Sequence, residues 1–136
     1  MRLSTLATNA TRQLHVLGHD GDALGVDGAQ VGVLEQADEV GGTWRDNHYP
    51  GAACDVPSHL YSFSFAPKHD WSRAYGLQAE IWGYLEECTD RFDVRERIRF
   101  GVAVERARWD EAHGVWRLAT SAGPMTADVL VPTVTD

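Results

Sequence analysis

Glu35 is the first residue whose type and position invite chemistry. It closes the apolar run Val31, Val33, Leu34 in "QVGVLEQ". A carboxylate at the end of the second strand of a dinucleotide-binding βαβ unit accepts hydrogen bonds from a ribose hydroxyl, although any surface acid can also end a strand. Gly41 and Gly42 follow. Lacking Cβ, they let backbone N–H groups approach a ligand, and they also suit a plain turn. Trp44 beside them can stack on a flat ring or fill a core. His48, Cys54, Asp55 and His59 are metal-ligand and nucleophile types, but their spacing matches no zinc pattern. A Cys–His nucleophilic pair requires a proximity that linear order does not supply. His15 and His19 lie in a Gly/Asp-rich stretch and read as surface residues. Tyr61, Phe63 and Phe65 alternate, which predicts a short strand with an aromatic, core-packed face.

Those residues need elements to hold them. "QVGVLEQ" reads as a buried strand ending in an acid. Residues 36–77 read as loop, apart from the short strand expected at "LYSFSF"; loops this long inside compact domains usually serve a function. Residues 78–92 predict a helix, because Ile81, Tyr84, Leu85, Cys88 and Phe92 share one face. "IRF" at 98–100 reads as a short strand. "VAVERARWDE", "GVWRLATS" and "PMTADVLV" then alternate at period two across short Gly-containing connections. This predicts a three-stranded antiparallel β-meander over 102–131, with turns near 112–114 and 121–123. Trp109 and Trp116 flank the first turn and should pack on or near the meander. The order strand, loop, helix, strand, meander is that of an α/β domain with a partly parallel sheet. Residues 1–30, rich in Gly and Asp, form an atypical N-terminal segment expected to pack less well than 78–131.

The 136 residues suffice for one domain or part of a larger one. A hydrophobic content of 43% and a charged content of 24% are those of a globular chain. A net charge of −8 argues against nucleic-acid and anionic-membrane partners. Two cysteines without metal spacing, no signal peptide and no apolar run near ~18 residues point to a reduced, cytoplasmic chain.

"VGVLEQADEVGGTWRDNHYPGAACDVPSHLYSFSFAP", with the segments that follow to about Val131, resembles the flavin-binding region of the flavin-containing and Baeyer–Villiger monooxygenases. The specific combination is an acid, then Gly-Gly-Thr-Trp, then Tyr-Pro-Gly, then Cys-Asp. The resemblance implies FAD and NADPH as cofactors, with dioxygen used to oxygenate a ketone or a heteroatom of a small-molecule substrate. It implies a partial Rossmann-like FAD-binding domain over 31–136, with the meander set into it. Glu35 would hold the adenosine ribose, and Gly41 and Gly42 the turn beside it. Thr43, Trp44, Arg45 and Asp46 would run along the ribityl chain and the ring. Ala53 and Cys54 would shape the nicotinamide side, and Tyr61 would contact the flavin region. Asp55 would orient a catalytic arginine near the isoalloxazine, which makes it the catalytic candidate. Val104 would meet the adenine through its backbone. No metal site is implied.

The sequence departs from the family pattern upstream of Glu35. A Gly-x-Gly-x-x-Gly turn should start near Thr11, where the residues are "TRQLHV". After "ADVLV" the chain reads "PTVTD" and does not continue into an NADPH domain. The expectation is a truncated or degenerate member, inactive alone. The rival readings are a non-catalytic remnant or interaction module that binds no flavin, and a nucleotide-binding module completed by a separate complementing chain.

Overall fold

The computed structural model describes residues 13–18, 25–26 and 29–133. It divides into two compact units, one built on Val40–Asp93 and the other on the described residues of Thr11–Glu39 and Val94–Asp136. Most of the N-terminal segment expected to pack less well lies outside the described residues.

The unit of 40–93 is organised around one helix. A single helical turn, α1 (Thr43–Asp46), follows the glycine pair, and α2 spans Gln78–Arg91. The apolar stripe anticipated for α2 forms: Ile81, Tyr84 and Cys88 are buried, with Leu85 and Phe92 half-buried beside them. The helix ends where Asp93 takes φ 53, a left-handed cap usually left to glycine. The loop between the helices closes back on the start of α2. Cys54 N–H donates to Gly76 O at 3.0 Å, Gln78 N–H to Ala52 O at 2.9 Å and Ser58 N–H to Ala74 O at 2.7 Å. The Ser58 hydroxyl adds a bond to Arg73 O at 2.7 Å. The loop is thus an irregular hairpin rather than a free excursion.

The strand expected at "LYSFSF" does not form. A 3-10 turn covers Ser58–Leu60, and beyond it only an isolated bridge joins Phe63 to Ala66. The aromatics pack as a cluster instead. Phe63 stacks on Phe65 with centroids 5.2 Å apart and on Tyr84 at 5.7 Å, while Phe65 meets Phe92 edge-on at 5.2 Å. The Tyr84 hydroxyl accepts from Phe63 N–H at 2.8 Å and donates to Ala66 O at 2.7 Å, pinning the turn to α2. Burial pushes the Tyr84 phenol up to about 12. Gly83 lies exposed on α2, and a Cβ added there would meet nothing within 4 Å. Gly83→Ala is therefore expected to stabilise the chain by about 0.5–1 kcal/mol, read as a higher urea midpoint. An unchanged or lower midpoint would contradict it.

The other unit holds two sheets. β1 (Gln13–Gly18), β2 (Gly25–Val26), β3 (Ala29–Glu35), β4 (Ile98–Arg99) and β8 (Val129–Thr133) form the first. β3 pairs with β4 in parallel through Val33↔Ile98 and Leu34↔Arg99. β1 lies between β3 and β8 and is antiparallel to both. The second sheet is the anticipated meander: β5 (Val104–Asp110), β6 (Val115–Thr120) and β7 (Gly123–Ala127), antiparallel in that order. "PMTADVLV" is not one strand, however. It breaks at Asp128, so that β7 closes the meander and β8 joins the first sheet. Leu34, Val102 and Leu118 form the unit's buried cluster, with Val104, Trp116, Met125 and Leu130 against it. Trp109 and Trp116 face each other across β5 and β6 with centroids 5.7 Å apart.

The β5–β6 turn is built on Asp110. Its Oδ1 accepts from Ala112 N–H at 3.1 Å, its Oδ2 contacts His113 Nδ1 at 3.0 Å, and Arg117 Nε donates to Oδ2. Bonds from His113 first and Arg117 second hold the Asp110 carboxyl down to about 2, from an ordinary 3.8. A depressed folded-state pKa contributes stability that is present above the unfolded value and lost as pH falls through the folded one. The Asp110 carboxylate should therefore stay mostly ionised at pH 3, while its contribution to stability falls away progressively between 3.8 and about 2. An NMR titration of the Asp110 carboxyl with its midpoint at the ordinary value would refute this.

Candidate functional site

The predicted site residues fall in both units. Glu35 ends β3 and is wholly buried, at 0% exposure. Its Oε1 accepts from Ala37 N–H at 2.8 Å, and its backbone carbonyl accepts from Val102 N–H at 3.0 Å. Gly101 N–H donates to Ala37 O at 2.9 Å. The chain leaving β4 is thereby fastened to the end of β3 just before Val104 opens β5. Glu35 and Val104 thus belong to one neighbourhood, at the carboxyl ends of the parallel pair. That is the edge at which open α/β sheets bind ligands. The Arg95 guanidinium, 2.6 Å from Glu39 Oε1, secures the connection further.

In the other unit the glycine pair is a structural requirement. Gly41 has φ +114 and Gly42 φ +47. A Cβ on Gly41 would lie 2.6 Å from Trp82 Cδ1, and Trp82 is itself held by its Nε1–H bond to Val40 O at 3.0 Å. α1 then forms through Trp44 N–H to Gly41 O at 3.0 Å and Asp46 N–H to Gly42 O at 2.9 Å. Arg45 and Asp46 pair side by side, at 2.7 Å from Nε and 3.0 Å from Nη2. Thr43 is half-buried, and its carbonyl accepts from the Asn47 amide at 2.9 Å.

Of the two readings open for Trp44, the structure selects the core. Trp44 is 7% exposed, packs with Cys54 and Ile81, and meets Tyr61 edge-on with centroids 5.5 Å apart. Its Nε1–H donates to the Tyr61 hydroxyl at 2.8 Å. Cys54 is buried, and its thiol donates to Val56 O at 3.0 Å. Ala53 and Asp55, on either side of it, are exposed. Alternation along 52–55 thus sends Ala52 and Cys54 inward and Ala53 and Asp55 outward. His48 and His59 are also exposed. Among the described residues no group of three His, Cys, Asp or Glu side chains assembles that could hold a metal ion. No helix there is long and apolar enough to cross a membrane.

Two residues that sequence reasoning passed over complete this arrangement. Gln78 donates its amide to Trp44 O, and Trp82 backs the glycine pair. Both lie half-buried on α2, and Trp82 packs against the cluster of Trp44, Cys54 and Ile81. Their one visible signal was a polar or large side chain at the start of a helix that follows a long loop.

No protein-family model matches the chain. A Baeyer–Villiger monooxygenase of Streptomyces coelicolor is 54% identical over 99 residues, covering 73% of this chain and 19% of that protein. The FAD-binding monooxygenase moxY of Dothistroma septosporum is 43% identical over 84 residues, covering 62% of this chain and 13% of its own. A crystal structure of a cyclohexanone monooxygenase variant from Rhodococcus sp. Phi1, bound to NADP+, superposes with a TM-score of 0.70 at 41% identity, over 75% of this chain and 20% of that one. The chain spans about a fifth, or less, of the length of the relatives it matches. Of these relatives, moxY is named as FAD-binding and the cyclohexanone monooxygenase structure holds NADP+. Over the stretch it shares with these relatives, the chain is similar to the Baeyer–Villiger and FAD-binding monooxygenases.

Proposed function

We propose that this chain is a segment of the FAD-binding region of an NADPH- and dioxygen-dependent monooxygenase that oxygenates ketones or heteroatoms. One observation carries the reading: Glu35 ends β3 at the carboxyl edge of the parallel pair, with Val102 N–H on its carbonyl and Val104 just beyond. That is the position from which an acid meets an adenosine ribose. In this reading Gly41–Asp46 forms the turn that follows the cofactor, with Trp44 as its internal support. By the family resemblance Ala53 would shape the nicotinamide side, and Asp55 would orient a basic side chain near the reacting ring; both are exposed, as such roles require. Bound FAD would supply the activation of dioxygen.

A second reading holds for the chain by itself. Glu35 has no exposed surface, and one of its oxygens already accepts from Ala37 N–H. No Gly-x-Gly-x-x-Gly turn precedes β3 in the sequence. In this second reading the described residues alone do not complete a flavin site, and the isolated chain is expected not to turn over NADPH.

The reading is tested by transplantation. The segment aligned with the Streptomyces coelicolor enzyme is exchanged into that enzyme, which keeps the rest of its own chain. The chimera is expected to retain FAD and oxidise NADPH when given a ketone. A folded chimera devoid of flavin would overturn the assignment.

A further inference from the structure

β1 runs the wrong way for a dinucleotide site. β3 and β4 are parallel, and β3 and β8 point the same way because each is antiparallel to the strand between them. Three strands therefore share one direction, and the central slot between β3 and β8 is filled by an inverted one. Gln13, the first residue of β1, lies opposite both Glu35 and Thr133, the last residues of their strands. Gly18, the last residue of β1, lies opposite Gln30, at the far end of β3.

This direction matters because of how pyrophosphate is bound. In a dinucleotide-binding unit the central strand runs parallel to its neighbours. Its carboxyl end then delivers a glycine turn, and the N-terminus of a helix, to the edge where the acid sits. The backbone N–H groups there neutralise two phosphate charges. In an inverted strand the carboxyl end, with whatever turn follows, leaves at the opposite edge. Gly18, which ends β1, and Gly25, which opens β2, both pair with Gln30 and so lie at the end of β3 opposite Glu35. The complete burial of Glu35 is consistent with an edge closed to ligand.

We infer that β1 is a reversed placeholder in the central slot of the sheet, and that its direction is what closes this chain to the pyrophosphate of FAD or of any dinucleotide. The inference rests on the proposed FAD edge at Glu35 and Val104 and adds the element that blocks it.

The experiment compares the full chain with a graft in which residues 11–30 are replaced by a strand, a Gly-x-Gly-x-x-Gly turn and a helix. Circular dichroism confirms that both are folded. Each is titrated with FAD by flavin fluorescence and with ADP, which carries the pyrophosphate without the flavin ring, by calorimetry. In parallel, NMR on the labelled parent reads the direction of β1, because non-hydrogen-bonded antiparallel pairs bring opposed Cα atoms to about 4.5 Å and give Hα–Hα contacts. The expected result is Hα–Hα contacts between 13–18 and 30–35, no saturable binding of either ligand by the parent, and binding at least about tenfold tighter by the graft. Saturable FAD or ADP binding by the parent overturns the inference and leaves the FAD assignment standing. A parallel β1 in the NMR data overturns it independently of any ligand, and still decides the matter if the graft does not fold. Failure of a folded graft to bind either ligand overturns both the claim that strand direction is the obstacle and the FAD edge itself.

Discussion

Gly41→Val is expected to destabilise the chain by about 3 kcal/mol or more, lowering the urea midpoint by roughly 1.5 M at an m-value of about 2 kcal/mol/M. Two effects add. Gly41 sits at φ +114, where a β-branched residue is strained by about 1–3 kcal/mol. Its new Cβ would also fall 2.6 Å from Trp82 Cδ1, 2.8 Å from Nε1 and 3.3 Å from Arg45 Cβ. Trp82 cannot withdraw freely, because its Nε1–H is bonded to Val40 O at 3.0 Å. Moving the ring gives up that bond, at a cost of about 1 kcal/mol or more. Gly51 supplies the control. It has φ +86 but nothing within 4 Å of a Cβ, so Gly51→Val reports strain without collision. Equal losses at Gly41 and Gly51 would show that the contact with Trp82 contributes nothing.

Trp44→Ala is expected to cost about 3–5 kcal/mol, the range for truncating a large buried aromatic. The indole fills the space between Cys54 and Ile81, and Ile81 is itself at 0% exposure. Trp44→Phe keeps most of that volume but leaves the Tyr61 hydroxyl without its 2.8 Å donor, and should cost about 1–2 kcal/mol. A double-mutant cycle with Tyr61→Phe isolates the pair: the two losses should be markedly less than additive. The alanine variant also bears on function. If Trp44 were chiefly a platform for a flat ligand ring, that variant would keep the parent's urea midpoint. Such a result would remove Trp44 from the core.

Much of this arrangement is legible in the sequence. α2, the meander with both of its turns, and the acid-ended β3 are readable because each is governed by local periodicity. Ile81, Tyr84 and Cys88 recur at helical spacing, and the meander alternates at period two between short Gly-containing turns. The Gly-Gly-Thr-Trp and Cys-Asp combinations point to the family for a related reason: tight turns restrict which residues can stand in them.

What tertiary structure alone decided are the features for which one local pattern admits several partners. Alternation at Tyr61, Phe63 and Phe65 signals burial of alternate side chains, but it does not distinguish a strand from a turn folded onto a helix; Tyr84 decided that by bonding both Phe63 N–H and Ala66 O. "PMTADVLV" alternates throughout, yet it serves two sheets, because pairing with β6 ends at Ala127 and pairing with β1 begins at Val129. Trp44 could have faced a ligand or the core until the Tyr61 hydroxyl and Ile81 were placed beside it. The direction of β1 is the clearest case. A period-two pattern reads the same forwards and backwards, so "QLHVLG" contains no sign of its orientation. The direction comes from long-range pairing with β3 and β8.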